Sequence, residues 1–458
     1  MNATLVKLPV IGALLFGACS APDLSSTGRI QVLRNVTLID GNGAQPVPHQ
    51  SIVLRGDRIV RVGPMESIES PEEAEVWELE GRFVIPGFVD LHVHFPEDSS
   101  VHQAMLERLL EYGVTTILNP GARPGAGVAL RERIADGKLR GPRMFSAGRI
   151  IEYVGAEEGL RGWSAEIEDA FVMREEIRSQ AASGVDFIKL YRLLPPELVR
   201  VAIREAHEQG LQVVGHMGET TWGEAARAGV DMLVHSGWGA VPDELVNLDD
   251  PDAASDAEWY AALEDATRGA RFASLVKTLL VEQVVVVPTL AISLAATLGS
   301  DDSMIPQFRV DLAPDAHVDD WWSPGWRERH PQYSPDDEAE AELLRLHFKP
   351  AIFNIVRAYY EAGVRLAVGT DVGNSWMTPG YVYHNELAFY QEAGIPPLAI
   401  LSMATRNGAR ALGILDDVGT IEAGKIANLI VLGRDPALDI NNTRSIERVF
   451  LNGTALSF

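Results

Sequence analysis

Six residues far apart in the chain carry the chemistry it can do: His92, His94, Lys189, His216, His235 and Asp371. Each stands at or near the C-terminal end of a short apolar run, at 84–94, 186–191, 212–216, 232–235 and 366–371. Imidazole nitrogens and a carboxylate are ligands for divalent metals. His92 and His94 are two residues apart, so on a strand both rings face the same side. Asp371 could ligate a metal and also accept a proton from water. Lys189 is the odd member, since an ammonium has three donors, no acceptor, and repels a cation. Buried near metals, it should be neutral or modified; the plain alternative is a structural salt-bridge lysine. The set suits two divalent metals and points to metal-dependent hydrolysis.

The elements that must position these residues read as alternating strands and helices. Further strands at 115–118, 143–146 and 284–289 bring the number to eight, with amphipathic stretches such as 195–209 and 219–228 between them. His216 and His235 leave room for one helix and one strand between them, as neighbours in one sheet would. Titratable groups at the strand ends of such an alternation predict a (β/α)8 TIM barrel in an α/β chain. Short alternating runs at 30–36, 51–55, 58–62 and 74–79, and again at 427–432 and 446–451, predict a small β-sandwich formed by the N- and C-terminal segments. The expected division is 29–83 with 412–458 for the sandwich and 84–411 for the barrel. Two insertions interrupt the rhythm, an acidic one at 237–267 and one at 298–337 with Trp321, Trp322, Trp326 and His330. Such loops are lids or substrate walls, or else docked surface excursions.

With 458 residues, 46% of them hydrophobic, the chain can bury a large core. A formal net charge of −25 argues against nucleic acid as a partner, because phosphate binding needs clustered Lys and Arg. Lys7 precedes an apolar stretch, 8–18, too short to span a bilayer but suited to a signal peptide. Phe16-Gly17-Ala18-Cys19 resembles the lipobox of bacterial lipoproteins, with Phe where Leu is usual. That resemblance implies a signal peptide at 1–18, lipidation of Cys19 and a linker at 19–28. Ordinary signal-peptidase cleavage near Ala18 or Ala21 is the alternative. The expectation is an exported, periplasmic protein, with Ser20 compatible with outer-membrane sorting and membrane contact only through the anchor. Cys19 is the one cysteine, which rules out an intrachain disulfide. Homo-oligomerisation is left open.

Pro86-Gly87-Phe88-Val89-Asp90-Leu91-His92-Val93-His94, Lys189, His216, His235 and Asp371 together resemble the amidohydrolase superfamily. The likeness is to its binuclear, carbamylated-lysine subtype, in the prolidase-like and imidazolonepropionase-related group. Gly419-Thr420-Ile421-Glu422-Ala423-Gly424-Lys425-Ile426-Ala427-Asn428-Leu429-Ile430 resembles that family's C-terminal sandwich strand, so the likeness runs from about 29 to 455. It implies that Lys189 reacts with CO2 to give a carbamate bridging two metals. His92, His94 and Asp371 would then hold one ion, His216 and His235 the other, with a hydroxide between. Such ligands suit Zn2+, with Mn2+, Co2+ and Fe2+ open. Asp371 would move the proton, Tyr191 would donate to the oxyanion, and Arg192 and His384 would pair with a substrate carboxylate.

The implied reaction is attack on a C–N bond in a dipeptide or N-acyl amino acid. A lactone, ester or organophosphate would suit the same metals. His216-Met217-Gly218-Glu219 also fits the His-x-x-Glu of mononuclear deaminases, but these lack the bridging lysine, and Glu219 reads better as the start of the next helix. An inactive lipid-anchored binding scaffold is a third reading, against which the intact ligand set counts. Arg123 and the Trp321/Trp322 pair are further substrate-side candidates.

Overall fold

The strands that bear the candidate residues are apolar on both faces, the pattern of a parallel sheet covered by helices. In the computed structural model, which describes residues 28–458 apart from 156–161, 238–239, 247–254, 299–341, 343 and 375–376, they form such a sheet. Eight strands pair in parallel in chain order: Phe88–Asp90, Val114–Asn119, Arg143–Tyr153, Phe187–Leu190, Gln212–Gly215, Met232–Val234, Val285–Val287 and Arg365–Leu366. Backbone bonds beyond the first and last strands tie the ends of this curled sheet together: Leu91 N to Val368 O (3.0 Å), Asp371 N to His92 O (2.8 Å) and His94 N to Val372 O (2.7 Å). The expected set of eight strands is therefore present. Ser164–Ile167, which the sequence did not suggest, adds in parallel to Arg143–Tyr153.

The terminal segments share a second sheet of eight strands. Ile30–Leu38, Val47–Arg55, Arg58–Pro64, Glu75–Glu78 and Phe83–Pro86 come from the front of the chain, and Leu429–Leu432, Ile446–Leu451 and Thr454–Ala455 from its end. Antiparallel pairing of Phe83–Pro86 with Leu429–Leu432 joins the two groups. The run 84–94, read as one strand, is thus two. Its first part belongs to the terminal sheet and Phe88–Asp90 to the curled one, with Gly87 between them.

Helix positions follow local chemistry. Pro196–Glu208 starts with proline in its first turn and buries Leu198, Val199, Ala202, Ile203 and Ala206. The next helix begins at Trp222, not at Glu219. Thr221 accepts from Glu224 N while the Glu224 carboxylate accepts from Thr221 N (3.1 Å), a reciprocal cap that sets the start three residues later. Glu219 instead gives its backbone N–H to Arg192 O (2.7 Å). Within the acidic insertion, Ala240–Leu245 and Asp256–Asp265 are helical. Residues 1–27, Cys19 included, lie outside the described residues, as does nearly all of 298–337 with its tryptophans.

Gly87 is where the chain steps from one sheet to the other, and it does so against a neighbouring strand. A Cβ there would fall 2.3 Å from Thr115 Oγ1 and 2.7 Å from its Cγ2. Gly87→Ala should therefore destabilise the protein by about 1–3 kcal/mol through overpacking. Urea denaturation followed by tryptophan fluorescence reads this, and an unchanged midpoint would contradict the close approach.

Candidate metal centre

The curled sheet delivers every one of the six residues to the C-terminal ends of its strands. His92 and His94 follow Phe88–Asp90, Lys189 lies within Phe187–Leu190, and His216 follows Gln212–Gly215. His235 follows Met232–Val234, and Asp371 comes after Arg365–Leu366. His92 Nε2 and His94 Nε2 are 3.2 Å apart, and each is 3.4 Å from Asp371 Oδ1. His235 Nε2 is 3.8 Å from Asp371 Oδ2. The His216 and His235 rings lie 4.3 Å apart between centroids. Ligand atoms of His92, His235 and Asp371 all fall within 4.8 Å of one another, which is close enough to share one cation.

Burial sets the protonation of these groups. Desolvation holds His92, His216 and His235 well below the usual imidazole range and His94 down to about 4, with the Lys189 amine adding to each depression. All four rings are therefore neutral near pH 7 and have lone pairs to offer. Desolvation also lowers Lys189 and raises Asp371, each partly opposed by the charge of the other. Lys189 is 1% exposed, and its Nζ has no hydrogen-bond partner among the described residues. A salt-bridge lysine would not be left so. Neutral imidazoles, a carboxylate and an orphaned buried amine facing one another fit divalent metals, and they fit little else.

The turns that carry the ligands are strained and firmly held. His235, Thr289 and Asp371 are non-glycine residues with positive φ, at 69°, 50° and 63°. Such conformations cost about 1–3 kcal/mol each and persist where the surroundings over-determine them. At Asp371 the determinant is Asp90, fully buried, which accepts from His92 N (3.1 Å), Thr370 N (3.0 Å) and Thr370 Oγ1 (2.7 Å). Burial pushes the Asp90 carboxyl up to about 7 despite these bonds. Asn374 Nδ2 donates to Asp371 Oδ1 (2.8 Å) and O (2.9 Å), fixing the carboxylate plane. Sequence reading gave no role to Asp90, Thr289, Thr370 or Asn374. Asp90 alone left a trace, as a polar residue in an otherwise apolar strand.

The substrate-side candidates fare differently. Tyr191 is half-buried with its ring edge-on to His216, centroids 4.7 Å apart, so it stands beside the centre. Arg192 is exposed on the same loop, and its charge depresses His216. Arg123 is held by Glu97, which also accepts from Trp163 Nε1 (3.1 Å). His384, expected to meet a substrate carboxylate, does something else. It is buried, with Nδ1 on Thr443 Oγ1 (2.8 Å) and Nε2 on Tyr112 O (3.1 Å). Both ring nitrogens are engaged, and Tyr112 precedes strand Val114–Asn119, at the end of the sheet away from the ligands. Burial drives its imidazole down to about 3, so it is a neutral packing residue.

Residues 83–456 match the amidohydrolase family, and the chain belongs to it. Its members are hydrolases acting on C–N bonds, and this chain is an enzyme of that class. An imidazolonepropionase of Rhizobium meliloti is 24% identical over 419 residues, covering 85% of this chain and 86% of the relative. A 5-methylthioadenosine/S-adenosylhomocysteine deaminase of Moorella thermoacetica is 41% identical over 91 residues, but only 18% of this chain and 21% of that one are matched. Among solved structures, a Xaa-Pro dipeptidase with bound methionine superposes with a TM-score of 0.69 at 21% identity, covering 94% of this chain and 100% of that one.

Metal uptake should depend on pH through Asp371, because the histidines are already neutral. Burial raises its carboxyl, so at lower pH a proton competes with the cation for the same oxygens. Zinc affinity, measured by chelator competition, should fall by roughly tenfold between about pH 8 and pH 6. A flat profile would mean that Asp371 is ionised throughout.

Proposed function

We propose that this enzyme hydrolyses the C–N bond of a dipeptide or N-acyl amino acid, in a (β/α)8 barrel carrying two divalent metal ions, zinc for preference. The observation that carries the reading is Lys189: a buried, depressed, unpartnered amine surrounded by four neutral imidazoles and a carboxylate. A neutral amine can add to CO2 with release of one proton, and the carbamate so formed would offer two oxygens sharing one negative charge where a bare ammonium would repel a cation. His92, His94 and Asp371 would hold one ion, His216 and His235 the other, and modified Lys189 both. Metal ions bound there lower the pKa of water and polarise a carbonyl.

The chain's own groups supply the rest. Asp371, with its carboxyl raised by burial, takes a proton from the attacking water and returns it to the leaving nitrogen. Tyr191 donates its phenol to the carbonyl oxygen as charge develops there. Arg192, exposed at the same loop, pairs with the substrate carboxylate. We further infer that the 8–18 stretch and Cys19 direct export to the periplasm and lipid anchoring, with 29–83 and 412–458 forming a flanking unit beside the catalytic one. The support is the pattern in the sequence.

Elemental analysis of the purified enzyme should find about two metal ions per chain, and a panel of dipeptides, N-acyl amino acids and lactones should give turnover with the first two. Lys189→Ala should lose metal and at least tenfold of the activity. One ion per chain would favour the deaminase-like arrangement, and lactone turnover alone would move the enzyme to esters. Full metal and activity in Lys189→Ala would remove the carbamate.

A further inference from the structure

Thr289 lies two residues beyond strand Val285–Val287, the strand that follows His235, and belongs to none of the six ligand positions, yet it is fully buried against the centre. Its Oγ1 is 2.7 Å from His235 Nδ1 and 2.8 Å from the carbonyl oxygen of Pro288. A carbonyl only accepts, so the hydroxyl's bond to Pro288 O, which also takes Ser236 N (3.1 Å), is one in which Thr289 donates. The oxygen lone pair that remains can only accept, and it faces Nδ1. In that arrangement the ring carries its hydrogen on Nδ1, which leaves a lone pair on Nε2, the nitrogen aimed at Asp371.

The backbone is bent to make this contact. Thr289 is β-branched and sits at φ 50°, a conformation such residues rarely adopt. What holds it there comes from a segment nearly a hundred residues further along the chain. Glu386, buried in helix Tyr381–Glu392, accepts from Leu290 N (2.9 Å) and Ala291 N (2.6 Å), the two residues directly after Thr289. Those N–H groups open helix Leu290–Leu298 and have no partner within it. Burying a carboxyl group is costly, and each of its oxygens accepts one backbone N–H of this turn. His235 is itself at φ 69°, and its N–H bonds Val287 O (3.1 Å), so two strained turns meet at one hydrogen bond.

We propose that Thr289 is a positioning residue that fixes His235 in the Nδ1–H tautomer and so prepares Nε2 for the metal. The inference rests on the metal-centre reading above. Imidazole ligands of metals are commonly oriented by a partner on the second nitrogen, and loss of that partner costs about 10–100-fold in affinity.

The test uses the whole enzyme stripped of metal and reloaded with zinc under chelator competition. Wild type should bind zinc, and its metal-free form should show the His235 Nδ1–H resonance in 15N-labelled histidine spectra. Thr289→Val keeps the shape and removes the acceptor; it should weaken zinc binding by roughly tenfold to a hundredfold and lose the Nδ1–H signal. Thr289→Ser should restore both. Equal zinc affinity in Thr289→Val overturns the proposal. So does a wild-type spectrum with the proton on Nε2, which decides the matter even should the valine variant fail to fold. Wild type that takes up no zinc at all would instead sink the metal-centre reading.

Discussion

Desolvation of polar groups at the strand ends is the constraint on which this structure turns. Four imidazoles, an amine and a carboxylate have been drawn together there, all buried but the partly exposed His94, and the opposed charges of Lys189 and Asp371 offset only part of the loss. In such surroundings the charged forms of His and Lys are disfavoured and the neutral carboxyl is favoured. The result is a cluster of unprotonated nitrogens around one carboxylate. As bare protein it is destabilising; with cations among the donors the same burial becomes an asset, because electrostatic attraction is strong where water is excluded.

Holding such a cluster falls to a tier of residues that touch no ligand atom directed at a cation. Asp90 and Glu386 are both buried; Asp90 accepts from Thr370 N and Oγ1 beside Asp371 and from His92 N, and Glu386 from Leu290 N and Ala291 N beside Thr289. Each turn contains a residue in the left-handed region. The two arrangements follow neighbouring strands of the curled sheet, Val285–Val287 and Arg365–Leu366, and solve one problem twice: how to aim a side chain from a strand end at a point off the strand axis. Rigid scaffolding of this kind is what a site needs if its members must be placed within a fraction of an ångström.

Much of this was legible in the chain. The eight strands were visible as apolar runs, because a sheet covered on both faces needs them, and the ligand residues stood out as polar groups at the ends of those runs. Pro86-Gly87 was the one local mark of the break, but the flanking runs are equally apolar and only the partner strand Leu429–Leu432, far off in sequence, shows which sheet claims the first half. His384 misled for the same reason. Its neighbours in space, Tyr112 and Thr443, come from distant segments, and a histidine satisfied by them looks in sequence like one waiting for a ligand. The start of the helix at Trp222 was set by Thr221 and Glu224, a local signal that was present but outweighed by the more conspicuous Glu219. Strained dihedrals leave no mark in composition, so the parts played by Thr289 and Asp90 needed coordinates.

The crossing at Gly87 also bears on the order in which the molecule can assemble. Phe83–Pro86 completes its pairing only with Leu429–Leu432, near the far terminus, and one residue later the chain becomes the strand leading to His92 and His94. A ribosome must therefore have made nearly the entire polypeptide before that first strand is anchored on both flanks. Contacts so distant in sequence form slowly. The cation pocket is thus among the last features to mature, after synthesis has ended and wherever the finished chain then resides.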